Sequence, residues 1–150
     1  GGRVRIRGRL KEIIVTSTGE KIAPVDLEFA IQNDPLFEQV FVYGENRPFI
    51  SALLVVQPEL WQSLCREMEL DPEDPATLTD RSMTRLLLKR VRAAAKDFPS
   101  YGIPRSIAVV REPFTIENGL LTPTMKPRRK EIFARWGHLI EAIYSGHPAA

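Results

Sequence analysis

The sequence predicts an α+β domain: a small mixed β-sheet with packed helices and an N-terminal β-hairpin. Three observations support this. Short apolar runs recur at 13–15, 40–43, 50–56 and 107–110. Prolines at 24 and 58 stand where first helical turns begin. Two longer stretches, 81–98 and 130–144, repeat apolar residues at helical spacing. Runs of the first kind read as strands and stretches of the last kind as amphipathic helices packed on one sheet.

In chain order, Arg3 to Arg7 alternate and predict a strand with Val4 and Ile6 on one face and Arg3, Arg5, Arg7 and then Arg9 on the other. Ile13–Val15 offers it a partner, and Thr16–Glu20 follows as a turn. Pro24 opens a helix with a core stripe of Leu27, Ala30 and Ile31, which Asn33-Asp34-Pro35 ends. Val40–Tyr43 and Ile50–Val56 are nearly unbroken apolar runs joined by a Gly-Glu-Asn-Arg-Pro turn, the pattern of buried strands. Pro58 begins a helix carrying Trp61, Leu64, Cys65 and Met68, and the polar 71–76 segment breaks the chain at the surface. Arg81–Phe98 predicts the longest helix, with Met83, Leu87, Val91, Ala94 or Ala95, and Phe98 inward. Its other face, Arg85, Lys89, Arg92 and Lys96, reads as solvated. Ile107–Val110 is a strand, and the last helix, Lys130–Tyr144, should bury Phe133, Trp136, Ile140 and Ile143.

Composition narrows the function. The 150 residues fit one domain, and 43% hydrophobic content is enough for a real core. Lys and Arg number 21 against 19 Asp and Glu, a net charge of +2, which argues against a whole-surface grip on nucleic acid. The single cysteine, Cys65, excludes an internal disulfide and reads as buried filler in a reducing, cytoplasmic setting. His138 and His147 have no Cys/His cluster beside them, so no metal site is expected. No apolar run reaches membrane-spanning length, and no signal peptide opens the chain.

Two segments carry candidate chemistry. In Leu-Leu-Thr-Pro-Thr-Met-Lys-Pro-Arg-Arg, residues 120–129, Pro123 and Pro127 hold the chain out of a helix and present Lys126 on a loop. Near the front, residues 8–28 join Gly-Arg-Leu-Lys-Glu to Gly-Glu-Lys-Ile-Ala-Pro and Leu27-Glu28, a basic strand, a Gly-containing turn and a Pro-started helix. Gly19 is free to take a positive φ or to let a ligand approach the backbone. Without further information, Lys126 is an exposed lysine and the front segment ordinary architecture.

Together, however, the two segments resemble the paired motifs of the C-terminal domain of adenylate-forming enzymes, the superfamily of acyl-CoA synthetases, peptide-synthetase adenylation domains and luciferases. Thr-Pro-Thr-Met-Lys-Pro-Arg-Arg most resembles its long-chain fatty acyl-CoA synthetase branch; other branches more often place Gly where Met125 stands. The resemblance implies ligation in two steps. A fatty acid carboxylate attacks the α-phosphate of ATP, releasing pyrophosphate, and the thiol of coenzyme A then displaces AMP. It implies Lys126 as the adenylation lysine, Arg9 at the nucleotide ribose and Lys21 near phosphate. Lys11 matches the hinge, and Thr18, Gly19 and Glu20 match the loop beside the pantetheine channel. It further implies a mobile lid, residues 1–150, working with a large N-terminal domain of the same polypeptide. That domain would hold the phosphate loop, the Mg2+ ligands and the fatty acid tunnel, so the isolated chain should be inactive. Peripheral membrane contact would suit a long-chain substrate.

Alternative readings follow from the arginine-rich strand and the Lys126, Arg128, Arg129, Lys130 cluster. They fit an RNA- or anionic-membrane-binding module, although aromatics are not interleaved as base-stacking platforms require. A non-catalytic docking domain on the same fold is the third reading.

Overall fold

A computed structural model describes residues 13–145 of the chain. The expected strand at 3–7, and with it Arg3, Arg5, Arg7, Arg9 and Lys11, lies outside the described residues. Among the described residues a hairpin forms across the Thr16–Glu20 turn: β1 (Ile14–Val15) pairs antiparallel with β2 (Lys21–Ile22). The return strand is only two residues long, too short for an alternation signal.

α1 (Pro24–Ile31) leads into a three-stranded sheet in the order β3 (Phe37–Tyr43), β4 (Ser51–Val56), β5 (Ser106–Val110). β3 runs antiparallel to β4, and β4 parallel to β5, so the sheet is mixed as expected. The parallel step needs a long crossover, made here by α2 (Pro58–Glu67), a 3-10 turn at Pro75–Thr79 and α3 (Arg81–Ala94). α4 (Arg129–Ser145) closes the described chain. All six residues of β4 are buried, which explains why it reads as a continuous apolar run.

Side chains alternate across the sheet and sort into two cores. Val40, Val42, Ala52, Leu54, Val56, Ile107 and Val109 face one core, filled by Leu27 and Ile31 of α1, Trp61 and Cys65 of α2, and Met83, Leu87 and Val91 of α3. Phe41, Leu53, Val55 and Val110 face the other, covered by Leu120, Leu121 and Ile132, Trp136 and Ile140 of α4. The two faces thus hold different elements, a point the site depends on.

Several boundaries differ from expectation. α3 stops at Ala94 rather than Phe98, because Ala95 leaves helical geometry (φ −101°, ψ 18°) and Pro99 disfavours a helical Phe98. Ala95, not Ala94, is the buried alanine. In α4 the helix is interrupted at Trp136 (φ −120°, ψ 15°), which rotates the inward stripe. Ile132 is fully buried there, whereas Phe133 and Ile143 are only half-buried. Ala30 and Met68 are likewise half-buried.

The polar breaker is more ordered than its composition suggests: the buried Thr77 hydroxyl donates to Asp71 O at 2.6 Å. Arg85, Lys89, Arg92 and Lys96 are exposed as expected. Arg90, from the same helix, instead binds Asp34 through two 2.7 Å bonds. Burial alone would raise the Asp34 carboxyl, but the bonds from Arg90 and the Leu36 N–H, with the arginine charge, hold it below its ordinary value. Cys65 is fully buried, and burial pushes its thiol up, partly offset by Arg111; it is packing, not a nucleophile.

Candidate functional site

Two exposed loops carry the sequence-predicted residues that the structure describes, each on its own frame; Arg9 and Lys11 lie outside the described residues. In the first, Gly19 has φ +91° and its N–H donates to Thr16 O at 3.0 Å, closing a tight turn. Thr16 N returns the bond to Glu20 O at 2.9 Å. Buried Thr16 also reaches the Glu20 carboxylate with its hydroxyl at 3.0 Å, and the Thr18 hydroxyl bonds the same oxygen. Glu20 is thereby occupied in shaping its own turn. Thr18, Gly19 and Lys21 remain exposed. A Cβ on Gly19 would meet nothing within 4 Å, so only its φ favours glycine. Ser17 N donates to Arg47 O and Asn46 N to Val15 O, at 2.9 and 2.8 Å, docking the hairpin on the β3–β4 turn.

The second loop presents Lys126. Thr122 N donates to Lys126 O at 2.8 Å, Lys126 N to the Thr122 hydroxyl at 3.1 Å, and Met125 N to Thr122 O at 2.7 Å. Leu121 bridges Pro127 at the loop's base, beside an Arg128 N to Leu120 O bond of 2.8 Å. Met125 has φ +67°, a conformation costing about 1–2 kcal/mol for a non-glycine residue. A loop so over-determined by local bonds holds a strained residue directly before an exposed lysine. Its base is anchored by buried Leu120 and Leu121, and a Thr115/Asn118 turn precedes it, with reciprocal bonds of 3.0 Å. Upstream, Gln39 of β3 exchanges two bonds with the Phe114 backbone, at 2.6 and 2.9 Å.

The structure brings the two motifs together through residues not singled out in the sequence. Glu28 of α1, 7% exposed, binds Arg129 of α4 through two bonds of 2.7 and 2.8 Å. The same carboxylate accepts from Val42 N at 2.8 Å, and the guanidinium lies 5.6 Å from the Phe41 ring centre. Glu28 closes the front motif and Arg129 closes the lysine motif; a carboxylate amid the apolar positions of a short helix was the available signal. Beside this pair, an apolar cleft of about 400 Å³ opens between the hairpin, α1, β3 and α4, lined by Ile14, Phe41, Tyr43 and Phe133, with Lys130 at it.

The supposed basic cluster is divided by these contacts. Arg129 is committed to Glu28, and Arg128 lies 3.6 Å from Glu131. Among the described residues no group of three or more His, Cys, Asp or Glu is placed to hold a metal, and no helix is long and apolar enough to cross a membrane. His138 is exposed.

Residues 11–148 match the sequence profile of the AMP-binding enzyme C-terminal domain. The chain belongs to that family. As an AMP-binding C-terminal domain it is similar to "Long-chain-fatty-acid--CoA ligase FadD15" of Mycobacterium tuberculosis, 34% identical over 96% of this chain and 24% of that protein. It is also similar to "Long-chain-fatty-acid--[acyl-carrier-protein] ligase AEE15, chloroplastic" of Arabidopsis thaliana, 32% identical over 97% of this chain and 18% of that protein. Among solved structures, the adenylation domain of a carboxylate reductase from Mycobacterium chelonae superposes with a TM-score of 0.76 at 30% identity, over 91% of this chain and 20% of that one. The chain thus spans about a fifth of the length of the proteins it matches. The AMP-binding C-terminal domain is one part of larger adenylate-forming enzymes, and the α+β fold expected from sequence is the fold of that family.

Proposed function

We propose that the chain is the mobile C-terminal domain of an ATP-dependent long-chain fatty acid–CoA ligase, with Lys126 serving acyl-adenylate formation and the Thr18–Lys21 loop serving thioester formation. The observation that carries this reading is that the two loops are anchored in different cores. Ile14 and Ile22 of the hairpin join the core on one sheet face, and Leu120 and Leu121 join the core on the other. A rigid body with a working loop on each face suits two steps that need different charge at one centre.

In the first step, an anionic carboxylate approaches the anionic α-phosphate of ATP. The Lys126 ammonium, on an exposed loop, offsets their repulsion and stabilises charge on the non-bridging oxygens. Arg9 would meet the ribose and Lys21 a phosphate. Turning at Lys11 would withdraw Lys126 and bring in Thr18, Gly19 and Glu20, whose compact turn leaves room for a pantetheine arm. The large N-terminal domain of the same polypeptide supplies the ATP and fatty acid sites, and this chain alone is expected to be inactive. Magnesium accompanying ATP would take its protein ligands from that domain.

One relative is named for ligation to acyl carrier protein, which favours a second acceptor, a carrier-bound phosphopantetheine thiol. The test is ATP–pyrophosphate exchange by the intact enzyme with fatty acids of graded length, then thioester formation with coenzyme A and with phosphopantetheinylated carrier protein. Long-chain exchange followed by acyl-CoA is the expected result. Thioester on carrier protein alone would move the acceptor, and no exchange with any fatty acid would end the reading.

Gly19→Val provides a check on the hairpin loop. A β-branched residue at φ +91° should destabilise the domain by about 1–2 kcal/mol. It should slow thioester formation from supplied acyl-adenylate more than pyrophosphate release. Equal slowing of both steps would remove the loop from the second one.

A further inference from the structure

We propose that Glu28 and Arg129 form a positioning pair that sets where the Lys126 loop stands against the rest of the domain, an inference that rests on the adenylation reading above. Lys126 makes local backbone bonds, to Thr122 within its own loop. Those bonds fix the shape of the loop, not its direction. Direction must come from the loop's two ends. The upstream end is anchored by Leu120 and Leu121 in the core. The downstream end is Arg129, three residues past the lysine and the first residue of α4.

That location is unfavourable for a cation. A helix N-terminus carries partial positive charge, and an arginine there is repelled unless a carboxylate answers it. Glu28 does so with both oxygens, and a bidentate fork fixes the guanidinium's plane as well as its position. Glu28 is itself held, because its Oε2 also accepts from Val42 N in β3. One carboxylate therefore joins three elements: α1 on one sheet face, the strand β3, and α4 on the other face. Since β3 is an outer strand of the sheet among the described residues, the pair wraps around that edge.

With Glu28 7% exposed, a direct contact with nucleotide is not its role. Nor does packing alone account for it, since a buried ion pair contributes little net stability compared with apolar residues of similar size. What the pair does provide is geometry. It ties the helix that follows the hairpin loop to the helix that follows the lysine loop, so the two working loops hold a fixed relation while the domain turns as one body. Neither residue touches the reacting atoms; both act through Lys126.

The test uses the intact enzyme carrying Arg129→Lys, Glu28→Gln, and both together. Lysine keeps the charge but loses the fork, and glutamine keeps the shape but loses the charge. Acyl-adenylate formation should fall about 10- to 100-fold in kcat, as expected for a displaced catalytic group. KM for ATP should change little, and thioester formation from supplied acyl-adenylate, read on the same sample, should be preserved. The double variant should be no worse than the poorer single one, because the two residues act as a unit. Equal loss of both half-reactions, whether through unfolding or otherwise, would make the pair a general clamp and overturn the proposal; so would undiminished adenylation. Lys126→Ala, run in parallel, separates the two levels. If it spares adenylation, the functional reading fails; if it alone abolishes adenylation, only the pair's role fails.

Discussion

Lys126→Ala in the intact enzyme is expected to slow acyl-adenylate formation by about 100- to 1,000-fold, the scale found when a preorganised charge stabiliser is removed. Thioester formation from supplied acyl-adenylate and the thiol acceptor should stay close to wild type. The asymmetry follows from placement. Lys126 is exposed on a loop whose base belongs to the core on one sheet face, while the hairpin loop belongs to the other. On the proposed mechanism, the domain rotation that serves the second step withdraws the lysine. Lys126→Arg should recover little, because a planar fork demands a fixed partner where a compact ammonium serves three oxygens in turn. Pyrophosphate release and thioester formation, measured separately, check the expectation. Loss of both would mean that the lysine is needed throughout, and survival of both would return it to the surface.

The largest expected effect on stability is at Trp61. It is fully buried in α2, and its indole N–H donates to Pro72 O at 3.2 Å, tying the helix to the segment after it. Trp61→Ala should cost about 3–5 kcal/mol, combining lost transfer energy with an unfilled cavity. Pro72 O keeps a 2.6 Å bond from Arg111, so the cost is chiefly packing. The domain's thermal midpoint should drop by roughly 10 °C, taking about 2–4 °C per kcal/mol for a chain of this size. Both half-reactions should then fail together on warming. A loss below about 1 kcal/mol would show that the core recloses around the gap. Parallel failure here, against step-selective failure at Lys126, distinguishes loss of fold from loss of chemistry.

What the sequence revealed depended on how far each signal extends. β4 was legible because all six residues are buried and therefore apolar, and the stripe Met83, Leu87, Val91 marked α3 for the same reason. β2 was not legible: two residues, Lys21 and Ile22, carry no period, and their pairing is set by the turn before them. The inward face of α4 shifted from Phe133 to Ile132 because the break at Trp136 changes the phase of the helix, which spacing alone does not encode. For the candidate site, Lys126 and Gly19 stand out in the sequence because each lies in a run of distinctive neighbours. Glu28 and Arg129 were passed over because they are 101 residues apart and each, alone, resembles an ordinary surface charge. Arg129 was even counted in a basic patch, whereas its charge is answered inside the domain.

The carboxylate of Glu28 has a further consequence, for solubility. An outer strand usually offers unpaired N–H groups on which another chain can assemble as an extra strand. Val42 in β3 has its N–H taken by Glu28 Oε2, and the guanidinium of Arg129 lies over the neighbouring Phe41 ring. A charged pair therefore occupies one of the points where a foreign strand would have to register. For a domain that swings against a larger partner, as proposed, its sides are exposed repeatedly, and the bond to Val42 N removes one point at which a like molecule could begin an extra strand.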